Sequence, residues 1–416
     1  MLSKSIVAVL VVFSVVIAGQ VCCGAGFSIL EQSTVGLGRS LAGMTAETDD
    51  PGSLYFNPAT GAAHESPTLM LGTHFIFGDV RFHDRGSTLN GDQSDNITSL
   101  ALVPNLYYVH PLSDGVTLNL GISATSGTAT TYEDDWQGRY FGVETEVSVI
   151  EFSPSLSWEI NDCWSVGAAF VMQYAEALMT QNIDLRTAGQ PDGRIKLEGD
   201  SIAFGYSFGV LYQPVAGSKI GLGYRSKLTH DVDMKARYRL PAGTAPFVRV
   251  PGDDEASISL NLPASINLGM QQELSAKWSL MFDVSWTQWS DMEELKIEFD
   301  NGNTRSETMQ WRDNWRFALG TEYKLTDKWT LRGGLAFDQT PVRSKDKRVA
   351  KLPDTNRVWA SLGAGYQVSE KMRLDFAYTR LFFNRCEIEQ RGASGTLEGY
   401  YEGGMNLVSL ALNYQF

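Results

Sequence analysis

The chain has 416 residues and a formal net charge of −14 at pH 7, with 40 Gly, 10 Trp, 16 Tyr and 20 Phe. The acidic balance argues against a nucleic-acid partner, which would favour a basic surface. The length would ordinarily suggest more than one domain, but a single closed β-sheet can absorb several hundred residues. Frequent glycine and aromatic residues are typical of many strands joined by tight turns.

Residues 1–24 have the features of a secretory signal peptide. Lys4 supplies the positive charge, Ile6 to Ile17 is almost uninterrupted apolar sequence, and Cys22 and Gly24 are small residues at cleavage-site spacing. We therefore expect the mature protein to begin near Ala25. A transmembrane anchor is the alternative, but the apolar run is too short and no second one follows.

The cysteines bear on lipid modification and on disulfide bonding. A lipoprotein modified at Cys22 or Cys23 is a weaker alternative to simple cleavage, since Val21 is bulky where a small residue is expected. Cleavage before Ala25 leaves only Cys163 and Cys386. We place these at opposite ends of the fold, so no disulfide is expected between them.

The segment from Ala25 to about Pro67 does not alternate between polar and apolar residues. It is rich in Gly, Ser and Asp, yet it carries Phe27, Ile29 and Leu37 among other apolar residues. A free periplasmic tail would be more polar. The composition therefore favours a plug, or hatch, over residues 25–67, inside a barrel formed by residues 68–416.

After this segment the sequence repeats runs of about ten residues with a period of two, which is typical of membrane β-strands. At the C-terminus the apolar face carries Val408, Leu410, Leu412, Tyr414 and Phe416. Another run places Trp329, Leu331, Leu335 and Phe337 on one face. A soluble sandwich would show the same alternation, so this pattern alone does not decide between the two.

Loop lengths favour the barrel. Short turns are predicted at 113–115, 161–163, 215–218, 274–276, 326–328 and 369–370, and long polar loops at 126–143, 181–199, 239–256, 341–356 and 387–399. Short turns on one side and long loops on the other are typical of outer-membrane barrels. Counting the strands around these turns predicts an all-β, transmembrane antiparallel β-barrel of about 14 strands, an even number.

The third predicted strand, Val116–Thr125, contains Gly121 and is followed by Gly127. Glycine inside a strand often marks a bulge or bend. Small residues that relieve crowding beside a plug would give the same sequence. We expect a kink here.

Many short motifs, in order along the mature chain, are similar to those of the FadL family of outer-membrane transporters for long-chain fatty acids and hydrocarbons. The motifs are Ala25-Gly26-Phe27, Gly36-Leu37-Gly38-Arg39, Asn57-Pro58-Ala59, Val103-Pro104-Asn105, Trp286-Thr287-Gln288-Trp289-Ser290, Asp313-Asn314-Trp315-Arg316 and Leu352-Pro353-Asp354. The resemblance implies a fourteen-stranded barrel plugged by a hatch, with passive transport that needs no cofactor. It also implies a lateral exit at an inward kink of the third strand.

The resemblance points to a gating turn and to a ligand pocket. Asn57-Pro58-Ala59 is predicted to be a rigid turn of the hatch that faces the kinked third strand. The pocket positions that carry basic residues in the family fall on Gln181 and Glu307, so the cations expected beside a fatty-acid carboxylate are missing. Burying a carboxylate without a partner is costly, which makes a neutral hydrocarbon or aromatic compound an attractive alternative.

We therefore predict passive uptake of long-chain fatty acids or other lipophiles in the outer membrane of a Gram-negative bacterium, by a monomer that is not an enzyme and holds no metal. A polar diffusion porin and an outer-membrane lipid hydrolase are the alternatives from other classes. A plugged lumen argues against the first, and the absence of a Gly-x-Ser-x-Gly elbow against the second. Arg343, Lys345, Lys347, Arg348 and Lys351 crowd one predicted loop, where we expect lipopolysaccharide contact or simple hydration.

Overall fold

A computed structural model describes residues 26–113, 115–242, 244 and 252–416. The predicted signal peptide, Ala25 and part of the predicted loop at 239–256 lie outside the described residues. Within these ranges the chain forms one antiparallel sheet that closes on itself around an N-terminal segment.

The sheet contains nineteen strand segments in the described part of the chain. They are β1 (Thr68–Asp84), β2 (Leu100–Ser113), β3 (Val116–Thr131), β4 (Glu144–Asn161), β5 (Trp164–Ile183), β6 (Gly193–Val215), β7 (Ser218–Arg225), β8 (Leu228–Arg239), β9 (Asp254–Leu262), β10 (Ser265–Ser275), β11 (Trp278–Thr287), β12 (Glu294–Phe299), β13 (Thr304–Thr308), β14 (Asn314–Lys324), β15 (Trp329–Asp338), β16 (Arg357–Ser369), β17 (Met372–Phe383), β18 (Cys386–Gly392) and β19 (Gly395–Gln415).

These segments make a closed barrel of 14 strands, as the sequence predicts. Short breaks divide five of the spanning strands, into β7 with β8, β9 with β10, β11 with β12, β13 with β14, and β17 with β18. The barrel closes where β1 pairs with β19, from Thr68 opposite Gln415 to Asp84 opposite Gly399. Closure removes the exposed sheet edges that lipid could not satisfy with hydrogen bonds.

Helical structure is confined to short turns. In the hatch, α1 spans Thr34–Leu37, and 3₁₀ turns span Met44–Ala46, Pro51–Tyr55 and Pro58–Ala63. Further 3₁₀ turns lie in the loops, at Arg186–Ala188, Trp289–Asp291 and Lys345–Lys347. None of the helices in the described ranges is long and apolar enough to cross a membrane.

The six short turns lie where the sequence predicts them, but several long loops are shorter than expected. The third strand continues to Thr131, and the predicted loop at 387–399 is instead a hairpin of β18 and β19. Its inward residues Ile388 and Leu397 are apolar and buried, but this alternation is short and lies among charged residues, so the sequence was interpreted as a polar loop. Cys163 lies in a short turn, and Cys386 lies at the other end of the barrel, at the start of β18.

Alternating exposure confirms the predicted orientation of the strands. Leu335 is 60% exposed and Leu410 is 48% exposed, whereas their neighbours Ala336 and Ser409 are buried against the interior. Most hatch residues from Phe27 to Ala62 are also buried, since the wall surrounds them. The apolar outer face is therefore the surface that lipid covers.

Replacing Leu335 or Leu410 with Arg should lower the free energy of unfolding by roughly 2–4 kcal/mol, because a charge near the bilayer midplane is poorly solvated. The matched control is Leu240→Arg, at the extracellular end of β8, where the cost should fall to about 0–1 kcal/mol. Urea unfolding in lipid vesicles measures both. Equal costs at the three positions would contradict the assigned lipid-facing band.

Candidate functional site

The barrel wall is incomplete between β2 and β3. Pairing of these strands begins at Ser113 opposite Val116 and stops at Asn105 opposite Ser123. Beyond that point β2 continues to pair with β1, and β3 continues to pair with β4. In the described residues, the two strands thus separate over the upper part of β3.

The hatch occupies the edge of β3 that β2 leaves. The Ile29 amide donates to the Thr125 carbonyl at 2.9 Å, and the Gly127 amide donates to the Phe27 carbonyl at 2.8 Å. Ser28 and Ser126 form an isolated antiparallel bridge, and Gln32 Nε2 donates to the Ala124 carbonyl at 2.7 Å. A short hatch segment, Phe27–Gln32, therefore supplies the backbone partners that would otherwise be missing.

The predicted kink glycines flank an irregularity in β3. The register with β4 shifts between Ala124 and Ser126. Gly127 lies just beyond it, where an added Cβ would be 3.1 Å from Ile29 Cδ1. Gly121 lies before it, and an added Cβ there would be 2.7 Å from Ser153 Oγ. Only Gly127 approaches the hatch.

The turn Asn57-Pro58-Ala59 lies mainly against β4 and β6, and the 3₁₀ turn that follows it reaches Asn119 of β3 at Gly61, away from the register shift. Asn57 Nδ2 donates to the Val210 carbonyl of β6 at 3.0 Å, and Ser157 of β4 donates to the Pro58 carbonyl at 2.7 Å. The Asn57 side chain also accepts from the Ala59 amide at 3.0 Å, which caps the following 3₁₀ turn. The contact with the bulge of β3 is made by Phe27–Gln32 instead.

Glycines in the wall make room for this turn. A Cβ at Gly209 would lie 1.8 Å from Asn57 Oδ1, and one at Gly167 would lie 2.4 Å from the Pro58 carbonyl carbon. Such close approach of two backbones needs residues without side chains. The sequence showed these glycines but gave no signal for what they contact.

Buried ion pairs hold the middle of the hatch to the opposite wall. Arg39 is 1% exposed, pairs with Glu47 of the hatch, and lies 3.9 Å from Glu322 of β14. Arg332 of β15 links Glu322 at 2.7 Å to Asp375 of β17 at 2.8 Å. Removing one partner of a buried pair costs about 3–5 kcal/mol. This part of the hatch is therefore firmly fixed.

The start of the hatch lies in an aromatic cluster at the extracellular end. The Phe27 ring centroid is 5.0 Å from that of Trp289, and the Trp289 centroid is 5.2 Å from that of Trp311. The Gly26 amide hydrogen-bonds to Asp354 in the loop after β15, and burial raises the pKa of that carboxyl to about 6. The residues that pair with β3 thus continue directly into the extracellular loops.

A cavity of about 670 Å³ opens between the extracellular loops, and it brings the two predicted pocket residues together. Gln181 and Glu307 both line it, with the apolar side chains of Leu295, Ile297 and Val349. This volume lies within the range of small-molecule pockets, about 300–1,000 Å³.

The predicted absence of a cation beside Gln181 and Glu307 is wrong. Lys351 is 3% exposed, pairs with Glu307, and its Nζ lies 3.4 Å from Gln181 Oε1. Sequence reasoning assigned Lys351 to a basic, solvated loop, but that loop folds back so that Lys351 and Arg348 are buried. Lys351 is distant in sequence from Gln181 and Glu307. Aligning these two positions with the family therefore could not identify it.

A second, smaller cavity lies between the hatch and the wall. Its volume is about 80 Å³, and Ser28, Thr125 and Ser126 are among the residues that line it. It reaches the bulge of β3 but is much smaller than pockets that hold drug-sized ligands. The described conformation is therefore narrow at this point.

Residues 14–416 match the profile of a family described as outer membrane protein transport protein (OMPP1/FadL/TodX). The chain belongs to this family. It is 30% identical to the long-chain fatty acid transport protein of Escherichia coli O6:H1, an alignment that covers 94% of each chain. The protein is accordingly an outer-membrane transporter of hydrophobic compounds.

Solved structures agree with this family membership. The chain superposes on a Pseudomonas aeruginosa FadL homologue with a TM-score of 0.86 and 26% identity, covering 94% of this chain and 100% of that one. The Ralstonia pickettii toluene transporter TbuX gives a TM-score of 0.67 at 19% identity, over 93% of this chain and 100% of that one. The second likeness supports the fold alone.

Gly209→Ala should loosen the hatch of this FadL-family protein, because the new methyl group would overlap Asn57. Overpacking of this kind costs roughly 1–3 kcal/mol. Limited proteolysis of the hatch in the folded barrel should become faster. Gly333→Ala is the matched control, because its Cβ would have no neighbour closer than 3.9 Å. Equal protection in both variants would mean that the turn is not held by this contact.

Proposed function

We propose that this transporter takes up long-chain fatty acids by passive diffusion along a lateral path that the hatch gates. The proposal rests on one observation. Along the upper edge of β3, hatch residues take the place of β2 as hydrogen-bond partners. Moving that segment would free the lumen side of the gap without breaking the remaining barrel pairs. The firmly held ion pairs around Arg39 would let the rest of the hatch stay in place.

The proposed route has three stages. A lipophile first enters the extracellular cavity lined by Leu295, Ile297 and Val349. It then competes with Phe27 for the aromatic surface of Trp289 and Trp311. Displacement of Phe27 pulls on residues 28 and 29, so the small cavity beside β3 widens toward the gap. The ligand leaves sideways into the membrane, driven by its own concentration gradient.

Lys351 supports a substrate with a carboxylate. It is a buried cation that lines the extracellular cavity, as Arg348 does, and an ammonium group there offsets the cost of burying an anion. The long-chain fatty acid transport protein of Escherichia coli is a relative whose name agrees with this chemistry. The carboxylate would bind to Lys351 and Gln181 while the chain fills the apolar part of the cavity.

A neutral hydrocarbon is the second candidate substrate. Glu307 already pairs with Lys351, so a ligand carboxylate must compete with a resident one. A neutral molecule would leave this pair undisturbed and would use the apolar lining alone. The two substrates therefore differ in their dependence on Lys351.

Lys351→Gln should weaken fatty-acid binding by about tenfold or more, since a hydrogen bond to a charged group contributes roughly 1.5–3 kcal/mol. Uptake of a radiolabelled fatty acid and of an alkane, in cells without another uptake route, measures the difference. The double variant with Glu307→Gln avoids an unpaired carboxylate, and Lys345→Gln is the surface control. A loss of alkane uptake as large as the loss of fatty-acid uptake would contradict a carboxylate site.

Pro58→Gly should change uptake of every lipophile while the barrel stays folded. Removing the φ restraint shifts the balance of hatch conformations by about 1 kcal/mol, which is several-fold in rate. The expected result is a change in either direction, because a looser turn can favour the closed or the open arrangement of the hatch. Heat-modifiable gel migration checks the barrel. Unchanged uptake with an intact barrel would remove this turn from the gating mechanism.

A further inference from the structure

Gln32 lies between the part of the hatch that pairs with β3 and the part that buried ion pairs hold. It is fully buried. Its main-chain amide donates to the Leu30 carbonyl at 2.8 Å, which makes a tight turn. The next residue, Ser33, caps α1, because its side chain accepts from the Gly36 amide at 2.8 Å. At Gln32 the chain therefore changes from a strand-like segment to a compact helical turn.

The sequence of β2 explains why its pairing with β3 stops beside this turn. In the described strands the last pair is Asn105 opposite Ser123, so the same register would place Pro104 opposite Ala124. Proline has no N–H and cannot donate a hydrogen bond to a neighbouring strand. Pro104 stays in the wall through its pairing with β1. The residue of β2 that would face Ala124 thus has no main-chain donor for it.

The carboxamide of Gln32 takes the place of the donor that Pro104 lacks. Its Nε2 donates to the Ala124 carbonyl at 2.7 Å and to the Ile29 carbonyl at 3.0 Å. Its Oε1 accepts from the Tyr107 hydroxyl of β2 at 2.7 Å. Both N–H groups and the oxygen of the amide are therefore used, and they join the hatch, β2 and β3. Breaking such a buried set leaves polar groups unsatisfied, which is costly.

Side chains of the wall also hold the residues close to Gln32. Asn105 Nδ2 donates to the Glu31 carbonyl at 3.3 Å. Thr34 Oγ1 of α1 lies 2.6 Å from Ser409 Oγ of β19. The residues before Leu30, in contrast, bond to the main chain of β3. The attachment of the hatch therefore changes at Gln32 from β3 alone to β1-side and β2 side chains as well, since β19 pairs with β1.

We propose that Gln32 is a positioning residue of the gate, which fixes the hinge about which Phe27–Leu30 leaves β3. Only its bond to Ile29 has to break when that segment moves. Its bonds to Ala124 and Tyr107 keep β2 and β3 joined below this level, so the lateral opening begins above Ala124 and α1 stays in place. This role of Gln32 rests on the proposed hatch-gated path and deepens it.

Hydrogen exchange followed by mass spectrometry tests the hinge on the detergent-purified full-length protein, with and without saturating oleate. In the wild type, oleate should speed exchange of the Ile29 amide by about tenfold or more, because that amide loses its bond to β3. The Leu37 and Gly38 amides bond within α1 and should keep their exchange rates.

Gln32→Leu keeps most of the side-chain volume and removes the carboxamide. Oleate should then speed exchange of Leu37 and Gly38 as well, because the moving segment is no longer stopped before α1. Tyr107→Phe removes one hydroxyl and should give a smaller increase. Gln271→Leu is the matched control, because Gln271 Nε2 also donates to the hatch, to the Gly43 carbonyl at 3.1 Å, but away from the hinge. It should show the wild-type pattern.

The two arms separate the hinge from the gate. If Ile29 stays protected in the wild type at saturating oleate, the hatch-gated path fails and the hinge fails with it. If Ile29 is released but α1 stays protected in both Gln32→Leu and Tyr107→Phe, the path stands and the role of Gln32 is wrong. Equal loosening of α1 in Gln271→Leu would also contradict that role. Heat-modifiable migration checks folding, and Tyr107→Phe decides alone if Gln32→Leu does not fold.

Discussion

A strand edge inside a membrane must find hydrogen-bond partners, because lipid offers none. The barrel meets this requirement by closing β1 onto β19, and in the described residues the wall opens above Asn105, where β2 leaves β3. The hatch then provides the partners through Phe27 and Ile29. Exchange of one set of backbone hydrogen bonds for another costs little net free energy. The hatch can therefore close the gap beside β3 and can also be displaced from it.

The start and the middle of the hatch are attached with different strengths, and this difference is what allows a gate. Around Arg39, several buried charges tie it to β14, β15 and β17, and breaking them would expose unpaired ions. Around Phe27, the attachment is apolar packing and a few backbone bonds. A lipophile can compete for apolar packing but not for ion pairs. A ligand shifts such an equilibrium only by its difference in affinity for the two arrangements.

The sequence was sufficient for the barrel but not for the site. Period-two alternation and loop lengths are local properties, so they predicted the strands and short turns, and the composition before Pro67 predicted a plug. The wall glycines such as Gly209 and the cation Lys351 depend on which distant segments meet, which no local pattern records. The hairpin of β18 and β19 was missed because its alternation, with Ile388 and Leu397 facing inward, covers only a few residues among charged ones. The contact of Asn57 with β6 could not be predicted for the same reason as that of Lys351: position in the chain does not give position in the lumen.

The central claim is that Phe27–Ile29 must leave β3 for transport, and a reversible cross-link tests it most directly. Ser28→Cys and Ser126→Cys, with Cys163 and Cys386 replaced by Ser, place a cysteine pair at the antiparallel bridge, where Cα distances suit a disulfide. Uptake of a radiolabelled fatty acid should fall to the background of cells without the protein when the pair is oxidised. It should recover when a reductant opens the bond. Full uptake through a completely cross-linked protein would contradict the account.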